Sequence, residues 1–310
     1  MVSRSRSWDL YGKVSPPPNR CRLSLLLSLQ LALILLGSFY ACGSVFRRAN
    51  VLGRRCLPRV GVGGGAAPAG PRLKIAMVSL SEERKGGKRS FEGLMEMVWR
   101  NKRAYAEKGG YDFVDGSGLI DHSRPPSWSK ILAVRSCLRN YDWVFWNDAD
   151  TLVTNSSISL ENILEAAIGD SDFDSSPDLI LTEDVTGVNA GTFFVRRSNW
   201  SQEFLDTWWN QTSFVRFGSS KSGDNDALKS LISVLPEDEL RKHVRVSPMQ
   251  CLFNSYPWFP SWKTAYRLLT SPSTIWKGAY SYGDFMVHLA GLDEKRRWAA
   301  EILREIPEDA

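Results

Sequence analysis

Between Leu23 and Phe46 no charged residue interrupts a run of Leu, Ile, Ala and small side chains. The run is 24 residues long, and about 20 apolar residues cross a bilayer as a helix. Cleavable signal peptides carry an apolar region of only about 7–15 residues. The expectation is therefore an uncleaved signal anchor over 23–46, with a cleaved leader as the alternative. Five basic residues precede the run and five follow it within a short distance, so the positive-inside rule is silent on orientation. The stretch 61–71, rich in Gly, Ala and Pro, has no apolar periodicity and reads as a flexible linker.

Beyond the linker, short apolar runs alternate with amphipathic stretches. Residues 73–80 suit a buried first strand. Residues 91–108 show helical spacing through Phe91, Leu94, Met95, Val98 and Trp99, and stop at Gly109-Gly110. Residues 111–114 look like a second strand, 127–139 a helix, and 141–146 a third strand. Further strands are expected at 178–182 and 192–196, then a helix from Trp200 with Asn199 and Gln202 as a capping box. Its apolar face would be Phe204, Leu205, Trp208 and Trp209. Alternating strands and helices imply an α/β domain whose mainly parallel sheet is flanked by helices on both faces. After Pro236 the pattern loses regularity and becomes rich in Trp, Tyr and Pro, and 250–262 does not read as a helix. No internal repeat is visible.

The net charge of +5 is unevenly spread. Residues 1–72 carry 11 Lys/Arg against one acid, and the remainder 28 against 33. The basic surplus thus lies beside the apolar run, and the rest is mildly acidic. That argues against nucleic-acid binding, which needs a basic patch on the domain itself. Five cysteines make no dense disulfide framework, and without Cys-x-x-Cys a zinc site has no basis. Cys21 and Cys42 fall beside and within the span, where palmitoylation is open to them. Cys56, Cys137 and Cys251 would face an oxidising lumen and allow one bridge among them. Sequons at Asn155, Asn199 and Asn210 favour a lumenal C-terminal portion.

The third strand, Tyr141-Asp142-Trp143-Val144-Phe145-Trp146, ends in Asn147-Asp148-Ala149-Asp150. Side chains at i and i+2 of an extended chain point the same way, so two carboxylates meet at one sheet edge. Hard oxygen ligands there suit a divalent cation that leaves positions open for a phosphate-bearing ligand. This is the Asp-x-Asp signature of nucleotide-sugar transferases, and it falls at the carboxyl end of a strand, where such sheets bind ligands.

Several further blocks follow in order. They are Trp128-Ser129-Lys130-Ile131 before the acidic pair, Asn189-Ala190-Gly191-Thr192-Phe193-Phe194-Val195-Arg196 with Asn199-Trp200-Ser201, Gly223-Asp224-Asn225-Asp226-Ala227-Leu228, Asn254-Ser255-Tyr256-Pro257, and His288-Leu289-Ala290-Gly291. Over residues 73–292 the chain resembles the retaining glycosyltransferases of family 34 (α-galactosyl, α-xylosyl and α-mannosyl transferases) and, more distantly, the family 8 galactosyltransferases. The resemblance implies a GT-A-type single Rossmann-like domain behind an N-terminal transmembrane helix. It implies Mn²⁺ held by Asp148, Asp150 and His288, a donor set that suits Mn²⁺ and excludes a soft thiolate metal. The donor-binding set it implies is Ser79, Asn101, Lys130, Asp148, Asn189 and Gly191, with Asp224 and Asn225 as catalytic residues. Relatives carry Gln where this chain has Asn225, so the amide's reach is shorter. They also often carry Lys two residues past the Gly, where this chain has Asp293, with Lys295 and Arg296 shortly after. His122 and His243 match nothing in the pattern.

The expected plan is a cytoplasmic tail (1–22), the span (23–46), a flexible stem (47–71) and a lumenal catalytic domain (72–310) in the Golgi membrane as a single-pass type II protein. The expected activity is Mn²⁺-dependent, retaining transfer of galactose or xylose from a UDP-sugar donor to a hydroxyl of an oligosaccharide or polysaccharide acceptor. Expected partners include the membrane and homo- or hetero-oligomers with other Golgi transferases, with no nucleic acid. The alternative from another class is a catalytically silent glycan-binding or scaffolding member of the same fold. A metal-dependent phosphodiesterase would need further His/Asp ligands at short spacing, which the chain lacks.

Overall fold

The computed structural model describes residues 18–54, 56, 73–82, 91, 93–169, 172–173, 175–218, 223–259 and 261–306. The linker expected at 61–71 lies outside them. The chain divides into two compact units between Ser44 and Val45. Helix α1 (Pro18–Arg47) contains the expected span; within Arg22–Arg47 the most apolar 18 residues have mean hydropathy 2.1, and the helix is long and apolar enough to cross a membrane.

In the second unit β1 (Ile75–Ser79) leads to α2 (Met95–Gly109), which ends as expected on a left-handed Gly110 (φ 66°). The helix starts four residues later than the periodicity suggested, because Gly93 (φ 65°) turns the chain just before it. Then come β2 (Asp112–Asp115), α3 (Ser129–Cys137), β3 (Trp143–Asn147), β4 (Thr151–Val153) and α4 (Leu160–Ile168). A capping box of Ser159 and Asn162 opens α4. β5 (Leu179–Asp184) and β6 (Gly187–Arg196) are followed by α5 (Asn199–Trp209), α6 (Gly223–Val234), α7 (Glu237–His243) and β7 (Val244–Ser247). The chain ends with α8 (Trp262–Thr270), α9 (Pro272–Gly278), β8 (Met286–His288) and α10 (Lys295–Glu305).

Six strands form one sheet in the order β2-β1-β3-β6-β5-β7, and five of them run in the same direction. This is the mixed α/β, mainly parallel architecture expected from the alternation. β6 is the reversed strand, because a tight turn with Gly187 at φ 99° folds it straight back on β5. It also starts five residues before the apolar run at 192–196. Alternation sends Trp146 and Phe193 to one face, into a core with Trp128, Ile131 and Trp208 under α3, α5 and α6. Phe145 and Phe194 stack at 4.3 Å on the other face, with Phe253 and Phe285. β4 and β8 form a separate antiparallel pair that registers Thr151 against His288.

Two local expectations need correction. The cap of α5 is Ser198, whose hydroxyl accepts from the Ser201 amide, and Asn199 is already helical. The region after Pro236 is more regular than expected and holds four helices, α7 to α10. α7 has seven residues, too few to show a period, and Ser261 begins α8 within aromatic-rich sequence that hides its period. The described residues of 250–261 hold no α-helix, and α8 starts at Trp262.

The second unit begins with residues pinned to its own far end. Phe46 packs 4.6 Å from the Trp258 ring, and the Arg47 carbonyl accepts from Ser281 Oγ at 2.9 Å. Arg54 Nη2 meets both Asp284 oxygens at 2.8–2.9 Å with both side chains fully enclosed. Burial pushes the Asp284 carboxyl above its ordinary pKa despite Arg54. Cys56 is disulfide-bonded to Cys251, and Cys137 and Cys42 are free. Asn199 and Asn210 are exposed, whereas Asn155 is half-buried with its amide bonded to the Gly283 carbonyl at 3.0 Å.

Candidate active site

The site is built where β3 ends. The Asp148 amide bonds the Gly191 carbonyl at 2.7 Å, tying the turn after β3 to the middle of β6. Asp148 Oδ1 accepts from Lys130 Nζ at 3.0 Å and from Trp146 Nε1 at 2.9 Å, leaving the side chain 30% exposed. Asp150 is buried beneath it. One of its oxygens lies 3.3 Å from His288 Nε2 and the other is gripped by Lys295 Nζ. Burial pushes the Asp150 carboxyl upward, but Lys295 and His288 outweigh it and hold it well below the usual carboxylate range.

His288 arrives through β8. Its Nδ1 is 2.9 Å from Asn254 Oδ1, which turns Nε2 toward Asp150. Asn254 Nδ2 in turn bonds Thr182 Oγ1 and Asn189 Oδ1 at 2.9 and 3.1 Å. A carboxylate or amide behind an imidazole is the usual device for fixing the tautomer of a metal ligand. Ligand atoms of Asp148, Asp150 and His288 lie within 4.8 Å of one another. Two carboxylates and an oriented imidazole fit a divalent cation such as Mn²⁺. The neighbouring backbone leaves no slack: a Cβ on Gly191 would sit 2.3 Å from His288 Cε1.

A second acidic position adjoins the first through Lys130, whose Nζ also lies 3.1 Å from Asp224 Oδ2 and 2.9 Å from the Ala190 carbonyl. Burial pulls the Lys130 pKa down, but Asp148 and Asp224 outweigh it and hold the ammonium charged. Asp224 sits in the first turn of α6 and accepts from Ser127 Oγ at 2.7 Å. Next to it, Asn225 Oδ1 accepts from the Ala190 amide at 2.6 Å.

The expected residues therefore fall into groups. Asp148, Asp150, His288, Gly191, Lys130 and Asp224 converge, and Asn225 joins them through Ala190. Asn189 is committed on both ends, with Nδ2 to Asp184 and Tyr256 and Oδ1 to the Gly191 amide. Ser79 reaches the cluster through Lys102 rather than by itself. Asn101 is not brought in: its amide clamps both backbone groups of Val153 at 2.8–2.9 Å.

Two lysines were not foreseen in the site. Lys102 Nζ bonds Ser79 Oγ and the Asp148 carbonyl, each at 2.8 Å, and is fully buried. Burial lowers its pKa to about 7, against the pull of Asp150, Asp148 and Asp115. The signal was in the sequence, since Lys102 continues the Met95, Val98, Trp99 stripe on the buried face of α2. Lys295 opens α10 after a left-handed Glu294 (φ 53°), and that turn carries it back to Asp150.

An acidic pair past a strand of the mainly parallel sheet, met by a histidine from the β4–β8 pair, is the arrangement that the resemblance to glycosyltransferases implied. The chain is a member of the galactosyl transferase GMA12/MNN10 family, whose model matches residues 72–299. It is 26% identical over 185 residues to a probable alpha-1,6-mannosyltransferase, MNN10, of Saccharomyces cerevisiae, covering 51% of this chain and 46% of that one. It is 28% identical to an uncharacterized alpha-1,2-galactosyltransferase of Schizosaccharomyces pombe, covering 67% of this chain and 66% of the relative. The chain thus spans between about half and two thirds of the length of these relatives. Among solved structures, a glycosyltransferase involved in glycosylation of the major capsid of PBCV-1 aligns with TM-score 0.48 and 12% identity, covering 74% of this chain and 99% of that one. The galactosyltransferase LgtC, in complex with donor and acceptor sugar analogs, aligns with TM-score 0.43 and 13% identity, covering 76% and 98%.

Proposed function

We propose that this chain is a Mn²⁺-dependent, retaining glycosyltransferase that moves galactose or xylose from a UDP-sugar to a glycan hydroxyl, held in the Golgi membrane with its catalytic domain in the lumen. The observation that carries this reading is the convergence of Asp148, Asp150 and His288 from two strand ends 138 residues apart in sequence. Bound there, the metal would supply charge neutralisation for a diphosphate leaving group. Lys130 and Lys102 hold the Asp148 turn in shape from both sides. In this reading Asp224, its carboxylate held by Ser127 and Lys130, takes hydrogen bonds from hydroxyls of the donor sugar. In same-face substitution the acceptor oxygen bonds the anomeric carbon as the sugar–diphosphate bond breaks, and the acceptor proton passes to a departing phosphate oxygen. Polar groups under the sugar stabilise the positive charge that develops there.

A donor-hydrolysis panel of UDP-galactose, UDP-xylose and GDP-mannose, with and without Mn²⁺, tests this on the full chain. Metal-dependent turnover of one UDP-sugar, abolished in Asp150→Ala, is the expected result. Asn225 motivates a second reading, a donor-binding member without turnover, because its amide oxygen is committed to the Ala190 amide. Mn²⁺-dependent UDP binding with no turnover of any donor would favour that reading.

A further inference from the structure

Helix α8 carries three strongly exposed large apolar side chains. Trp262, Tyr266 and Leu269 are 85%, 68% and 83% exposed. They stand at i, i+4 and i+7, on one face of a helix, and none of the helix's residues is buried. Lys263 and Arg267 flank that stripe on one side. Trp, Tyr and Leu on one face with basic residues beside it is the composition of a helix lying in a membrane interface. An exposed apolar face of this kind marks an interaction surface.

The position of α8 says which surface. Phe46, the last residue of the apolar run, is buried against Trp258 at 4.6 Å and Trp276 at 6.2 Å. Trp258 precedes Trp262 by four residues, and Trp276 lies on α9, which α8 joins across Ser271. Four residues reach at most about 14 Å, so the start of α8 lies close to where the chain enters the span. Arg54, Asn50 and the Cys56–Cys251 bridge lock the same segment to 251–284. We propose that α8 docks its Trp262–Tyr266–Leu269 face into the headgroup layer of the bilayer that α1 enters. This rests on the membrane-anchored reading of the chain. Its consequence is a second point of membrane attachment for the domain.

The test uses the full chain carrying Cys21→Ser, Cys42→Ser and Cys137→Ala, reconstituted into phosphatidylcholine vesicles containing phosphatidylserine. Trp262→Cys, Tyr266→Cys and Leu269→Cys are each labelled with an environment-sensitive fluorophore and quenched by lipid doxylated near the headgroup. Leu35→Cys in the middle of the apolar run, quenched by lipid doxylated at the acyl-chain end, and Val234→Cys on α6 are the lipid and water references. Quenching on α8 several-fold above Val234 and a blue-shifted emission are expected. If Leu35 is quenched while the α8 labels behave like Val234, the docking proposal is overturned and the anchor stands. An unquenched Leu35 overturns the anchored reading and the docking together. Labels on α8 that sit in water and respond only when an oligosaccharide is added assign the face to a glycan, which also overturns the proposal.

Discussion

Lys130 Nζ lies 3.1 Å from Asp224 Oδ2, with 3% of the lysine side chain and none of the aspartate exposed. Because the same ammonium also holds Asp148 at 3.0 Å, helix α3 joins the turn after β3 to the first turn of α6. The acidic halves of the site are thus fixed relative to each other by one buried cation.

Replacing that cation tests the joint. Lys130→Met leaves two carboxylates facing each other in a buried setting, and breaking a buried pair this way costs about 3–5 kcal/mol. Urea unfolding of the variant against wild type measures it. A cost below about 1 kcal/mol would show that the pair contributes little net stability.

Metal loading should stabilise the fold. A ligand at 100 times its dissociation constant adds about 2.7 kcal/mol, so Mn²⁺ should raise the melting temperature of wild type. Asp150→Asn and His288→Ala should each lose most of that rise. Lys295→Met should respond to Mn²⁺ at lower concentration than wild type, since Lys295 competes for the Asp150 oxygen that a cation would need.

The support behind His288 should matter nearly as much as the ligand. Asn254→Ala removes the partner of Nδ1, and loss of such outer contacts typically costs about 10–100-fold in metal affinity. Gly191→Ala should do the same by another route, since its Cβ would displace the imidazole. Mn²⁺ titration followed by calorimetry reads both; unchanged affinity in both variants would remove His288 from the ligand set.

Lys102 predicts a pH signature. Its folded pKa is lowered to about 7 by burial, below its ordinary value of 10.5. Between those limits the unfolded chain binds the extra proton, so wild-type stability rises with pH relative to Lys102→Met, by at most about 1.4 kcal/mol per pH unit. Below pH 7 the difference is flat. Parallel unfolding curves at pH 7 and pH 9 that show no tilt would contradict the buried environment.

The segment after α1 should be indispensable to the domain. Arg54→Ala strands the Asp284 carboxylate, at a cost of about 3–5 kcal/mol. The Cys56–Cys251 bridge closes a separation of 195 residues, for which the chain-entropy model gives about 5 kcal/mol. A chain beginning after residue 56 should therefore melt well below one that retains 45–56, as thermal unfolding of the two will show.

Much of the fold was legible locally. The apolar runs located β1, β2, β3, β5 and part of β6, and Gly109-Gly110 marked the end of α2. What escaped were elements whose cause is not local. β4 has three residues and exists by pairing with β8. The first half of β6 is held by its hairpin to β5. Asn101 shows the same limit within the site: its type and position suited donor binding, yet its partner is the backbone of Val153.

The sequence alone determined that two carboxylates stand just past an apolar strand, because the run and the spacing are local; a turn rather than extended chain then carries Asp148 to Lys130 and Asp150 to His288 and Lys295. It also determined that α1 is long and apolar enough to cross a membrane, since length and absence of charge are properties of the chain itself. Only the tertiary structure decided the rest. The β4–β8 pairing brought His288 to Asp150 from 138 residues away, and the buried stripe of α2 put Lys102 beneath Asp148. These contacts join residues with no local signal for one another, so packing of the whole domain alone selects them.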